Sequence, residues 1–371
     1  MSGTPGGRRP GNVVKWLATL LAGALVLAGC GPSDRYDARP LDQPHRQDVL
    51  APYEAALWPD YLHRMALPRG RDYVILAYVP PRKPLDLSTP ERARLSLLSA
   101  LLTPGPDTTI GHSIVAWQCG AQQGMASMTG AEGPEAIEMV KRGWGLVPLL
   151  STYTDGRLYP EGAHRQANLD ALAEGRGVVT AIEVSRSQCE GLRSELTRFL
   201  THPDAPVRNY GLMKDPAAYE GAGCISFGFY LAGAAGVLGE VAPHVTRELA
   251  LRETILGQGN GSYPKVRLYR PPSGCCDQPL PVLELLFSRW DRGPVVARVE
   301  VEDGELMLAA LVAARERTAA AQDWRFDRVL PADRDPAVAA AAAAGRSFAA
   351  RYPVARIADP AGVSALVLER R

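Results

Sequence analysis

Two residues far apart in the chain have the chemistry of a covalent catalyst: Cys224, which opens an uncharged apolar run, and His112, which opens a strand. A polar, glycine-rich loop beginning at Asn209 leads into Cys224, and small or apolar residues follow from Ile225 to Leu238. This layout puts a thiol in the first turn of a buried helix. Free backbone N–H groups and the positive end of the helix dipole favour a thiolate there, and the thiolate is the nucleophile. The same layout also suits a buried structural cysteine, because free cysteines are among the most buried residues.

A cysteine nucleophile needs a base within hydrogen-bond reach and a third group to orient that base. Six histidines are available: His45, His63, His112, His164, His202 and His244. His112 follows Gly111 and starts the strand-like run Ser113-Ile114-Val115-Ala116-Trp117. Its ring is expected at the rim of a sheet, where a helix N-terminus can face it; the plain alternative is a surface histidine at a strand end. A turn over Gly120–Gln123 folds the chain back as a hairpin. Side-chain alternation then puts Ser127 and Thr129 on the face of His112, with Gln118 on that face further down. Thr129 is the expected third member, and Ser127 is the alternative.

The order Gly111-His112, hairpin, strand ending at Val184, helix from Ser185 to Leu200, Tyr210, then Cys224 with Ser226 and Phe227 resembles a known family. That family is the circularly permuted branch of the papain-like NlpC-type superfamily, which includes lecithin:retinol acyltransferase-like and bacterial envelope proteins. In this branch the histidine strand precedes the cysteine helix. The resemblance covers about residues 110–238. It implies an α+β fold in which an antiparallel sheet packs against a nucleophile-bearing helix. It also implies that Cys224 attacks a carbonyl while His112 takes the thiol proton and returns it to the leaving group. The oxyanion would rest on the Cys224 backbone N–H and on Tyr210, and a protonated His112 would lower the Cys224 pKa. The family often has Asn before the nucleophile, where this chain has Gly223. No cofactor and no metal are implied.

The first thirty residues read as targeting. Arg8, Arg9 and Lys15 precede a short apolar stretch, Trp16 to Leu27, which ends in Leu27-Ala28-Gly29-Cys30. This resembles a bacterial lipoprotein signal, with Cys30 as the lipidated first residue. Residue 32 is Pro, not Asp, so the implied location is the outer membrane, facing the periplasm. Removing residues 1–29 takes three basic residues from 41 and leaves 38 against 40 acidic ones, so no broad basic surface for nucleic acid is present. In an oxidising compartment the cysteines beyond Cys30 can pair. They are Cys119, Cys189, Cys224, Cys275 and Cys276, an odd number. A free Cys224 with two bridges among the others would fit; the connectivity stays open, a bridge between the adjacent Cys275 and Cys276 included.

Residues 31–50 read as a tether, 51–290 as the permuted papain-like domain with its core at 110–238, and 291–371 as a C-terminal α/β extension. Strands are expected over 71–79, 110–119, 124–129, 146–153, 177–184, 295–301 and 363–368. Helices are expected over 53–65, 89–102, 187–200, 305–317 and 338–350, and in part over 241–258. Around Ser226 the first Gly of a Gly-x-Ser-x-Gly elbow is missing, which argues against a serine hydrolase. Cys275, Cys276 and His244 lack metal-ligand spacing, and the glycines near Gly257 do not sit between a strand and a helix. The expectation is a membrane-anchored cysteine hydrolase or acyltransferase acting on an amide or ester of the cell envelope, in peptidoglycan peptide or lipid. The alternative is a catalytically silent envelope lipoprotein that binds glycan, peptide or lipid through the same groove.

Overall fold

The computed structural model of the chain describes residues 49–54, 58–102, 111–130, 135–158, 163–316, 335–358 and 364–370. The targeting segment, Cys30 and nearly all of the tether lie outside the described residues, so the lipid anchor does too. Among the described residues no helix is long and apolar enough to cross a membrane.

In chain order the strands are β1 (Asp72–Val79), β2 (His112–Cys119), β3 (Gln122–Ala126), β4 (Met128–Thr129), β5 (Thr152–Tyr153), β6 (Arg157–Leu158), β7 (Val178–Val184), β8 (Thr246–Arg252), β9 (Val266–Arg267), β10 (Val295–Glu302), β11 (Val354–Ala358) and β12 (Ala365–Glu369). One sheet runs β11-β12-β7-β1-β2-β3. Its neighbours are antiparallel except β12 and β7, which are parallel. The fold is therefore mixed α and β, as expected of an α+β chain: β7, β1, β2 and β3 pair antiparallel, and β12 adds one parallel pair that makes the sheet mixed. Both faces are covered, which explains why β1 and β7 are nearly continuous apolar runs. One face packs under the helices Arg186–Thr201, Cys224–Ala234, Gly304–Arg315 and Pro336–Ala350. The other packs under Asp60–Arg64 and Ala163–Ala173. A separate cluster forms around the β8–β10 ribbon, with Trp144, Leu251, Trp290 and Val301 in its core.

Several expectations change. Residues 146–153 form a short helix, Val147–Leu150, before β5. Pro148 explains this: it lacks a ladder donor but suits a first helical turn. Residues 246–252, expected to be part of a helical stretch, form β8 paired with β10. Their Glu-Leu-Ala-Leu-Arg composition favours a helix, and tertiary pairing overrides it. Within the C-terminal extension, β11 and β12 complete the main sheet and the Gly304–Arg315 helix lies in its core. β11 was not foreseen from the sequence.

Three local devices fix the frame around the site. Ser185 caps its helix: its Oγ accepts from the Gln188 N–H at 3.2 Å, while Gln188 Oε1 accepts from the Ser185 N–H at 3.0 Å. Cys119 at the end of β2 is bridged to Cys189 in that helix across a sequence separation of 70, with Cα atoms 5.6 Å apart. A bridge closing so long a loop stabilises by about 4 kcal/mol in the chain-entropy view. Arg247 on β8 donates to Asp303 and to Asp335, at 2.7 Å each. These two aspartates cap the Gly304–Arg315 and Pro336–Ala350 helices, so one guanidinium ties both helix starts to the ribbon.

Glu302, beside that clamp, is buried enough to push its carboxyl pKa up to about 7, and the neighbouring Asp215 and Glu300 add to the rise. A raised carboxyl pKa stabilises the fold fully below the unfolded value and loses that contribution as pH climbs through 7. Glu302→Gln is therefore expected to leave stability at pH 4 unchanged and to raise it at pH 8 by up to about 3 kcal/mol. Denaturant melts at the two pH values check this.

Candidate active site

Cys224 is the first residue of its helix, Cys224–Ala234, and it is a free thiol. The helix start is pinned by Ser226, whose Oγ accepts from the Gly223 N–H at 2.9 Å and donates to the Gly223 carbonyl at 3.2 Å. Ser226 is thus a structural anchor for the turn that carries the thiol. A Cβ at Gly223 would meet only ordinary contacts, the nearest at 3.5 Å, so glycine is not sterically required before Cys224.

The sulfur meets the sheet at the edge of β2. Cys224 Sγ lies 3.5 Å from the Gly111 carbonyl oxygen, to which it donates. The Ser113 N–H, the Tyr210 phenol and the N–H groups at the helix start lie near enough to the sulfur to pull its pKa down. Gly111 and Ser113 are the two neighbours of His112. In an extended strand the carbonyl of one residue and the N–H two residues on point to the same edge. The sulfur therefore sits along that edge, level with His112.

His112 enters the sheet opposite Val79, the last residue of β1, and is half-buried at the rim. Its Nε2 is 2.6 Å from Ser127 Oγ, and Ser127 Oγ donates to the Ser113 carbonyl at 2.7 Å. Since the N–H and C=O of one strand residue share an edge, Ser127 and Cys224 occupy neighbouring places along it, and the His112 ring reaches its Ser127 end. Of the two hydroxyls considered for the third place, that of Ser127 is the one in contact with the His112 ring. The hydroxyl of Thr129, the expected member, donates to the Gly130 carbonyl at 3.2 Å. Gln118 is also elsewhere, donating to the carbonyls of Pro68 and Arg71.

Tyr210 is set by backbone on both sides. Its N–H and carbonyl exchange two 2.8 Å bonds with Tyr153, and it bridges to Ala222, two residues before the thiol. Its ring crosses Gly130, where a Cβ would lie 2.5 Å from the ring. Other close approaches also require glycine. A Cβ at Gly228 would sit 2.6 Å from Ser113 Oγ, and one at Gly111 would sit 2.1 Å from the Tyr78 hydroxyl. Sequence reading found Tyr210, Cys224 and His112 as types. It missed the Gly111 carbonyl and the Ser113 backbone, which no side-chain pattern could signal.

The expectation of a lowered thiol pKa is corrected. Burial pushes the Cys224 thiol up, and this outweighs the Ser113, Tyr210, Ile225 and Cys224 donors that pull it down. Only 3% of the residue is exposed. Among the described residues the other cysteines are bridged, Cys119 to Cys189 and Cys275 to Cys276. Among the described residues no group of three or more His, Cys, Asp and Glu is placed to hold a metal. No protein-family model, no curated protein and no solved structure matches the chain.

A raised thiol pKa stabilises the folded state fully below the unfolded value and loses that contribution as pH rises through the folded one. The wild type should therefore lose stability across the alkaline range more steeply than Cys224→Ala, which has no thiol to ionise. Urea melts from pH 7 to pH 10 would show parallel curves if the thiol were not so buried.

Proposed function

We propose that the chain is a cysteine-dependent hydrolase or acyltransferase of the cell envelope, with Cys224 as nucleophile, His112 as base and Ser127 as the group that orients it. One observation carries the reading: a free thiol at the head of an apolar helix lies against the backbone on both sides of a strand-end histidine whose ring is held by a hydroxyl. A buried structural cysteine has no need of a phenol and several N–H groups directed at its sulfur. These groups suit an attacking sulfur and, as it leaves the thiolate state, a developing oxyanion, for which Tyr210 and the Cys224 N–H are the donors.

In this reading the core is papain-like with the histidine strand ahead of the cysteine helix. The substrate is an amide or ester of peptidoglycan peptide or lipid. Cys30 is the lipid-bearing residue that holds the protein on the membrane, facing the periplasm from the outer membrane, with no nucleic acid partner. Fold likeness does not fix the substrate, and the chemistry rests on the site alone.

The near-complete burial of the sulfur favours a second reading, an inactive lipoprotein that binds glycan, peptide or lipid at the same place. Turnover of an activated ester by the purified full chain separates the two. Cys224→Ser and His112→Ala are each expected to lower the rate at least about 100-fold with the circular dichroism unchanged, while Thr129→Val keeps it. Full activity in either of the first two variants would remove their assigned roles.

A further inference from the structure

We propose that the bridge between Cys275 and Cys276 is a redox-active site, opened by thiol–disulfide exchange with a dithiol, and that opening it releases the loop between β9 and Leu280. The inference rests on neither the catalytic reading nor the membrane anchor.

A bridge strengthens a fold by closing a stretch of chain, and its effect grows with the length closed. Cys119 and Cys189 are separated by 70 residues, and both are buried. Cys275 and Cys276 are neighbours in sequence and close nothing beyond their own peptide unit. Stapling the fold therefore does not account for this pair. Both residues are half-buried, and Pro272, Ser273, Gly274 and Asp277 around them are exposed, so a small thiol can approach. The two Cα atoms are 3.8 Å apart. Bridged cysteines usually sit further apart, at roughly 4.4–6.8 Å. Cys276 has φ +69°, a left-handed backbone that a residue with a Cβ disfavours, whereas Gly274 takes φ +65° freely. Once the ring opens, Cys276 can leave that conformation. Exposed or constrained bridges are the ones that exchange readily, while buried structural ones resist reduction.

The loop is anchored at both ends and held only locally between them. At its start β9 pairs with β5, and the Tyr269 N–H donates to Ser151 Oγ at 3.1 Å. At its end the Gln258 N–H donates to the Gln278 carbonyl at 2.9 Å, and the Leu280 N–H to the Gly143 carbonyl at 2.8 Å. In the middle the Gly274 N–H bonds to the Pro271 carbonyl at 3.0 Å and the Cys275 N–H to Ser273 Oγ at 3.4 Å, both within the turn itself. Opening the ring therefore frees residues 270–277 and leaves the anchors in place.

Cys276 packs against the cluster that contains Trp144 and Trp290, so the attack falls on Cys275. A thiolate of the reductant bonds to the Cys275 sulfur as the bond to Cys276 breaks. The Cys276 sulfur leaves as a thiolate and takes a proton from water. The second thiolate of the reductant then displaces the Cys275 sulfur, which is protonated in turn. The chain gains two electrons and two protons, and the dithiol becomes a disulfide. Exchange with a disulfide oxidant reverses these steps and closes the ring.

The full chain equilibrated in graded mixtures of reduced and oxidised dithiothreitol tests this. Acid quench, alkylation and peptide mass spectrometry read each bridge, and hydrogen exchange on the same samples reads the loop. Cys275 and Cys276 are expected to open together at a ratio of reduced to oxidised dithiol at least about 100-fold lower than Cys119 and Cys189 require. Peptides covering 270–277 should then exchange faster, with the β8–β10 ribbon unchanged. Cys275→Ser combined with Cys276→Ser should show that faster exchange even in oxidising buffer. Opening of Cys275–Cys276 at the same ratio as Cys119–Cys189 or a more reducing one would overturn the proposal. So would an open pair, or the double variant, whose 270–277 peptides exchange as the bridged form does.

Discussion

The edge of β2 at Gly111–Ser113 is where the sheet and the head of an apolar helix meet, and the thiol of Cys224 and the hydroxyl of Ser127 both bond to it. Two main-chain groups there are met by side chains from elsewhere: the Gly111 carbonyl by Cys224 and the Ser113 carbonyl by Ser127. Main-chain groups in a sheet are held by the ladder on the other side, here β1 paired with β2 from Tyr73↔Gln118 to Val79↔His112. They move little. A thiol and a hydroxyl tied to one such edge keep a fixed spacing that surface side chains could not maintain.

Bringing a helix end onto a strand edge demands small residues at the contacts. Gly111, Gly130 and Gly228 each stand where a single added carbon would collide with Tyr78, Tyr210 or Ser113. Around them the Cys119–Cys189 bridge ties the far end of β2 to the neighbouring helix. The same close packing that positions the sulfur also strips it of water. The helix-end N–H groups and the Tyr210 phenol offset part of that loss, and burial wins.

How far the sequence reached follows from which information is local. Cys224 was legible because a glycine-rich loop running into an uncharged apolar stretch describes a helix start. His112 was legible because it opens a run of Ser-Ile-Val-Ala-Trp. Ser127 and Thr129 lie two residues apart on one face, and alternation cannot rank them; which hydroxyl meets the His112 ring depends on the bond of Ser127 to the Ser113 carbonyl, a contact between residues distant in sequence. The thiol's raised pKa was misread because donors are visible in a helix start, whereas depth of burial is set by packing from β2 and from Tyr210. Pro148 was a missed signal in plain view. The strand β8 was not, since its residues favour a helix until β10 pairs with them. The place of β11 and β12 in the main sheet depends on a return of the chain that no local pattern announces.

The central claim is that Cys224 forms a covalent bond with an acyl group. Peptide mass spectrometry after acid quench of the full chain turning over an activated ester tests it most directly. The account predicts an acyl thioester on Cys224 that builds up within the first turnover and is missing in His112→Ala. Turnover of the ester with Cys224 unmodified at every quench time would contradict it.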